Sequence, residues 1–412
     1  MKRHDILIIG GGASGVFLAL LLADHEMDVA IVEAKDRILK KLLTTGNGRC
    51  NITNASAMEN IRDTYSSNNL DYDYSPLQNF TLEDTLDYFK KLGLSFTTLE
   101  EHKMYPLSLQ SSSVVDILRL SLEEKKVPVY LGQKVKSIQS KNGFLVSTED
   151  ESYECRKLVI SSGGLAAPGT GSDGSLNKIV RGFGHTLHTP FPALVQLKLA
   201  SPFLRALSGV KVNGEASLIH KGTLLRKEAG ELLFTDYGIS GPPILQLSRF
   251  LYPFLSSGEE LRVSIDMFPD SSEEEIRDLV MNQVSVFSYR TVMDTFRSIL
   301  PNKLIPVILK EAGIEKSSVR TDEVDPRKFA ALAKLLKSWT FSITGTQGFN
   351  MAQGTYGGVD TKELKETLES KKIRGLYFTG EIIDVLGACG GYNLQWAWST
   401  AGTVMKDLTK RT

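Results

Sequence analysis

Three glycines and one acid near the start of the chain have the spacing to hold a pyrophosphate and a sugar. Gly10-x-Gly12-x-x-Gly15 is followed, eighteen residues after its last glycine, by Glu33. Each residue type has a task in that chemistry. Gly10 permits a tight turn out of a strand. Gly12 carries no Cβ, so main chain can come close to a pyrophosphate. Gly15 lets a helix lie on a sheet. The first helical amides, around Ala13 and Ser14, offer the phosphates the positive end of the helix dipole. Glu33 is placed to accept hydrogen bonds from an adenosine ribose, with Ala34 and Lys35 at the same edge.

The elements that must position these residues are legible around them. "ILII" (Ile6 to Ile9) is a continuous apolar run, as in a strand buried on both faces of a parallel sheet. "VFLALLLADHE" has helical character, and "DVAIVE" is a second short strand closed by Glu33. The apolar stretch from Ile6 to Ala23 resembles a signal peptide or membrane span. Gly10, Gly11, Gly12 and Gly15 cut it into pieces well short of the ~20 apolar residues that crossing a bilayer takes, so it is expected to be strand, turn and helix. A second match, Gly169-x-Gly171-x-x-Gly174, follows Pro168 several residues beyond the strand "KLVIS" and has no strand-closing acid. It is expected to be a surface or lid loop, not a second nucleotide site.

After Glu33 comes "AKDRILKKLLTTGNGRCNITN". Gly46 and Gly48 keep side chains out of the way; Lys40, Lys41 and Arg49 supply positive charge; Thr44, Thr45, Asn47, Asn51 and Asn54 supply neutral donors, with Cys50 among them. That mixture suits a backbone laid along a phosphate-bearing cofactor.

At this point the chain resembles the aminoacetone-oxidase-like FAD enzymes, a branch of the flavoproteins with two dinucleotide-binding folds. The resemblance rests on "IIGGGASG", "KKLLTTGNGRCNITN", "GELLFTDYGISGPPILQLS" and "GLYFTGEIIDVLGACGGYNLQWAWSTAG", which span nearly the whole chain. Asn47 and Leu39 stand where the family has glycine, and "HKMYP" (His102 to Pro106) replaces a Gly-Arg-Val-Phe-Pro-like segment, Lys103 taking the arginine's place. The resemblance implies a Rossmann-like α/β FAD-binding domain with an inserted β-rich, barrel-like subdomain and a small helical subdomain. It also implies a final strand returning under the cofactor, with Gly380 and Glu381 near the ribityl chain or pyrophosphate. Gly391, Tyr392, Asn393, Leu394 and Gln395 then open a helix whose amides face the flavin's pyrimidine carbonyl. Val135 is expected to meet the adenine through its backbone, and Ser162 and Gly163, at the end of "KLVIS", join the cofactor set.

The expected boundaries are residues 1–190 plus 342–412 for the discontinuous FAD domain, 191–270 for the β-rich part and 271–341 for the helical part. Thr81 reads as the cap of a helix bearing Leu82, Leu86 and Phe89; Ser271 with Glu274 reads as a capping box, and Asp325-Pro326 as a further helix start.

Lys+Arg and Asp+Glu balance at 48 each, which argues against a nucleic-acid partner, whose phosphates favour an excess of cations. The three cysteines are far apart and form no metal-ligand spacing, so no metal is expected, and such sparse usage fits a cytoplasmic setting. Cys50 and Cys389 both fall in cofactor segments and read as small loop residues rather than a redox pair. The six histidines form no catalytic arrangement, and no side chain is nominated as catalytic. The resemblance implies oxidation of a small primary amine, aminoacetone or an amino acid, to an imine, with oxygen reduced to hydrogen peroxide. Two alternatives stand beside it: an NAD(P)H-dependent reductase of conjugated enones of the bile-acid type, and a non-enzymatic flavin-bearing accessory protein. The partners expected are thus a small substrate and either oxygen or NAD(P)H, with no membrane; the oligomeric state is left open.

Overall fold

The first strand, Lys2–Ile9, forms because Ile6 to Ile9 can be buried on both faces, as all four are. It pairs in parallel with Val29–Val32 on one side and Ser152–Ile160 on the other. Val129–Tyr130 extends the sheet in parallel beyond Val29–Val32. Ser152–Ile160 shares its far edge between two partners: its first half runs antiparallel to Phe144–Ser147, and Leu158 to Ile160 run parallel to Leu376–Phe378. Ser137–Ser140 completes the seven strands. The strands at both ends of the chain thus meet around Ser152–Ile160, and the loops at their carboxyl ends fall together.

The opening helix, Ala13–Ala23, is apolar nearly all round because it is covered on two sides, by the sheet and by the C-terminal helix Tyr392–Lys410. Phe17 is its anchor. Its ring centroid lies 5.0 Å from that of Trp398, 5.1 Å from Tyr88 and 5.2 Å from Phe89. Burying one such side chain contributes roughly 1.5–3 kcal/mol. Leu82–Lys91 starts at Thr81 as expected, with a reciprocal box to Asp84; it buries Thr85, Tyr88 and Phe89, while Leu82 and Leu86 are half-buried. A small antiparallel sheet of Thr53–Asn54, Lys103–Pro106 and Phe96–Thr98 stands apart from the main one.

The structure, a computed structural model, describes Met1–Lys410. These strands and helices belong to a unit of Met1–Ala193 and the chain from Ala352 onward; Leu194–Met351 is a second unit. Six antiparallel strands there close a barrel: Leu197–Ala200, Gly238–Ser240, Thr223–Phe234, Lys211–His220, Leu261–Asp266 and Trp339–Thr346, the last returning to the first. Its interior holds Phe234, Trp339 and Phe341, with centroids 4.7–6.1 Å apart.

The barrel moves two expected boundaries. Residues 342–351 stay with the insertion, because Trp339, Phe341 and Ile343 alternate inward and Trp339–Thr346 pairs with Leu261–Asp266 and Leu197–Ala200. The insertion begins at Leu194 rather than at residue 191, and the helices from Glu273–Val286 through Pro326–Lys337 run between two strands of its barrel. The capping box forms one residue later than expected, on Ser272 and Glu275. Ser271 is already committed to a turn, its amide donating to the Phe268 carbonyl at 3.0 Å and its carbonyl accepting from Lys337 Nζ. Asp325 caps Pro326–Lys337 as expected. Among the described residues no helix is long and apolar enough to cross a membrane.

Candidate functional site

The three glycines of the opening turn carry three different demands. Gly10 has φ 112°, and a Cβ there would stand 2.4 Å from the Ser161 carbonyl oxygen, so the turn out of the first strand needs glycine twice over. A Cβ on Gly15 would stand 2.1 Å from the Gly10 carbonyl oxygen, which makes that position one of helix packing. Gly12 is different: a Cβ there would meet nothing within 4 Å. Protein does not require glycine at that point, and the open space faces the start of the helix.

Glu33 is buried and its carboxylate is aimed by main chain. Gly11 N–H donates to Oε2 and Lys35 N–H to Oε1, each at 2.7 Å. Both oxygens keep a further lone pair for a ribose. Gly11, which the glycine pattern passes over, is needed here, since a Cβ would stand 2.5 Å from Ile38 Cγ2 and 3.2 Å from Glu33 Oε2.

A cleft of about 1300 Å³, counted with the solvent at its mouth, runs through these residues. Its walls bring together Gly10, Gly12, Ala13, Ser14, Glu33, Ala34, Lys41, Thr45, Val135, Ser162, Gly163, Gly380, Glu381, Asn393 and Leu394 from the expected set. The decisive contact joins the two ends of the chain: Lys41 Nζ donates to Glu381 Oε2 at 2.7 Å. Glu381 Oε1 is buried and has no protein partner, an acceptor left for a ligand hydroxyl. The open face of Gly12, the aimed carboxylate of Glu33 and the orphaned oxygen of Glu381 together fit an extended dinucleotide bearing sugar or ribityl hydroxyls, as FAD does.

Other expected residues stand elsewhere. Gly15 and Lys35 lie outside the cleft walls, as do Gly46, Asn47, Gly48 and Arg49, which are exposed. Gly46 (φ 57°) and Asn47 (φ 54°) are left-handed, which glycine and asparagine tolerate best. Lys41, expected to face phosphate, is neutralised by Glu381. Gln395 is a correction. It is fully buried and its amide is spent on Thr53, Thr85 and Ser399, so it braces the small sheet instead of reaching the cofactor. The Asn393 side chain is spent likewise on the main chain of Gly387 and Ala388. Gly391 packs on Thr53, where a Cβ would stand 2.4 Å from the carbonyl carbon, and Tyr392 begins the last helix.

Cys50 is buried, and burial pushes its thiol up to about 12 against the opposing hydrogen bond from Thr45. Such a thiol is not a nucleophile at neutral pH. Cys50, Cys155 and Cys389 are in no disulfide. Asn51 is buried with its Oδ1 unpartnered. No group of three or more His, Cys, Asp or Glu side chains suited to a metal occurs among the described residues.

Sequence reasoning missed one wall. Thr170, Gly171 and Ser172 line the cleft, and a Cβ on Gly171 would stand 3.5 Å from Lys35 Cγ and 3.8 Å from Glu33 Oε1. The second glycine match therefore borders the first nucleotide site. An ion pair of 2.9 Å from Lys134 to Asp173 ties it to the Gln133–Val135 wall. Its signal was visible in the glycines; only its location was not.

Comparison with known proteins supplies the context. The family model described as "HI0933-like protein Rossmann domain" matches residues 4–406. The chain is 38% identical to a 3-dehydro-bile acid delta(4,6)-reductase of Clostridium scindens, over 96% of this chain and 97% of that one. It is 34% identical to a ribosomal RNA dihydrouridine synthase of Escherichia coli, over 99% and 98%. In fold it is similar to the open conformation of a flavocytochrome c3 fumarate reductase, with a TM-score of 0.51 and 13% identity, covering 99% of this chain and 78% of that one.

Proposed function

Since the chain belongs to the HI0933-like Rossmann-domain family of FAD-dependent oxidoreductases, we propose that it reduces a carbon–carbon double bond conjugated to a carbonyl. One observation carries this reading. Two relatives matched over nearly their whole length have names that describe one bond change. A 3-dehydro-Δ4,6 skeleton is a dienone, and dihydrouridine is uridine saturated at the double bond beside a ring carbonyl. The shared chemistry is hydride addition to a polarised alkene.

The cleft residues divide the work. Main-chain amides from Gly12 to Ser14 hold the pyrophosphate, Glu33 the adenosine ribose, and Glu381 a hydroxyl of the ribityl chain, while the Gly10 and Gly11 amides are spent on Val32 and Glu33. When bound, FAD supplies a two-electron carrier that accepts and delivers hydride. The helix start at Tyr392 sets partial positive charge where negative charge gathers. The chain's zero formal charge favours a small substrate over RNA.

The test is an anaerobic reaction of FAD-loaded protein, reduced by NADH or NADPH. The reading expects a steroid 4,6-dien-3-one to restore the oxidised flavin spectrum, with a saturated product. Restoration by unmodified ribosomal RNA alone would keep the bond change and replace the substrate. Bleaching of oxidised protein by aminoacetone, with no response to either alkene, would replace the reading with amine oxidation, the activity that the sequence resemblance implies.

A further inference from the structure

The small sheet carries a pair of donors that the cofactor cleft does not use. Lys103 and Tyr105 are two residues apart on Lys103–Pro106, so their side chains share one face of that strand. That face meets the segment expected along the phosphate-bearing cofactor and the segment expected at the flavin ring. A Cβ on Gly390 would stand 3.2 Å from Lys103 Cε, so the lysine stem lies across that glycine. A Cβ on Gly46 would stand 3.3 Å from Tyr105 Cε1. Gly46 follows Thr45, and Gly390 precedes Asn393 and Leu394, all three of which line the cleft.

The placement is held from several sides. Asn54 Nδ2 donates to the carbonyls of Glu101 and Gly390, at 3.0 Å each, and so pins the hairpin turn to the C-terminal segment. The turn itself is strained: Glu101 (φ 55°) and His102 (φ 59°) are consecutive left-handed residues, neither a glycine. The Lys103 ammonium is half-buried and paired with the carboxylate of Glu101, which is itself largely exposed. Burial disfavours the charge, but that pairing outweighs it and keeps the lysine protonated.

We propose that Lys103 and Tyr105 form the carbonyl-binding site of the substrate, donating two hydrogen bonds to the oxygen conjugated with the alkene. This rests on the reductase reading above and names its catalytic residues. FAD, once bound and reduced by a nicotinamide donor, would supply the hydride that forms the new C–H bond at the β-carbon. The alkene π pair moves to the carbonyl oxygen, where the ammonium and the phenol hydroxyl carry the negative charge. The pair then returns to the α-carbon, which takes a proton from water. Glu101 gives up its hold on Lys103 to the substrate oxygen, and its exposure lets water compensate it.

The site recognises an oxyanion flanked by a flat conjugated system, which a phenolate imitates. Full-length FAD-loaded protein is therefore titrated with para-nitrophenol and followed by the probe's own absorbance. The wild type is expected to bind the anion, shifting the bound probe toward phenolate. K103M is expected to keep its FAD and lose that binding, K103R to recover part of it, and Y105F to weaken it. Reoxidation of reduced K103M by the dienone is expected to slow on the order of a hundredfold, as on loss of an oxyanion donor. Absence of phenolate binding in the wild type would overturn the proposal, as would K103M and Y105F that bind probe and dienone like the wild type. Should the wild type bind phenolate through Lys103 yet reduce no enone, the reductase reading falls while the anion site stands.

Discussion

Gly12 and Gly15 belong to one sequence pattern, yet their surroundings predict opposite losses. A methyl at Gly15 meets the Gly10 carbonyl oxygen at 2.1 Å, so G15A is expected to lower stability by about 1–3 kcal/mol, as overpacking does. A methyl at Gly12 meets no protein, so G12A is expected to leave the melting temperature in place. FAD affinity should then fall by on the order of tenfold, about 1.4 kcal/mol. A fluorescence titration beside a thermal melt separates them; equal effects on both readouts would remove the distinction. His185 gives a second expectation. Its Nδ1 faces Glu363 at 3.0 Å and its Nε2 faces Ser370 Oγ at 2.8 Å. Ser370 Oγ already accepts from the amides of Lys372 and Ile373, so it donates to Nε2, and Nδ1 carries the ring proton toward Glu363. Burial lowers the His185 pKa more than Glu363 raises it. The unfolded chain therefore binds a proton that the folded chain refuses. Stability is expected to fall as pH drops through about 6.5, the ordinary histidine value, and H185Q to flatten that slope in denaturant titrations. An unchanged slope in H185Q would assign the pH response to other groups.

At the scale of elements, the small sheet depends on the last helix. Gln395 accepts from Thr53 Oγ1 at 2.6 Å and donates to Thr85 Oγ1 and Ser399 Oγ at 2.9 and 3.0 Å, all in the interior. Q395L keeps much of the volume but strands those hydroxyls, so it is expected to cost about 2 kcal/mol. Because Thr53–Asn54 pairs with Lys103–Pro106, faster amide exchange in that sheet should accompany the loss. Loss of stability with unchanged exchange there would mean that the helix does not brace the sheet. The same elements show where sequence reading stopped. Strand, turn and helix over the first residues were legible because apolar runs and glycines act on their neighbours. The role of Gln395 was not, since it sits in a segment that resembles a cofactor loop and only packing turns its side chain inward.

At the scale of the molecule, every cleft wall belongs to the first unit, and Ala193 is the register partner of Gly354. The second unit therefore leaves the first from two adjacent strand ends. Replacing Leu194–Met351 by a two-residue turn is expected to give a chain that still takes up FAD stoichiometrically, which gel filtration with absorbance would read. Colourless soluble material would show that the cleft needs the barrel.

The nucleotide-binding opening and the helix starts at Thr81 and Asp325 follow from the sequence alone, because periodicity, capping and backbone freedom are local properties. Tertiary structure alone decided that Lys41 meets Glu381, 340 residues away, and that Gly171 borders Glu33. It also decided that Asn54 ties Glu101 to Gly390 and that Trp339–Thr346 closes a barrel. Such contacts are set by the order of strands in a sheet and by which faces pack. Neither is written in the spacing of neighbouring residues.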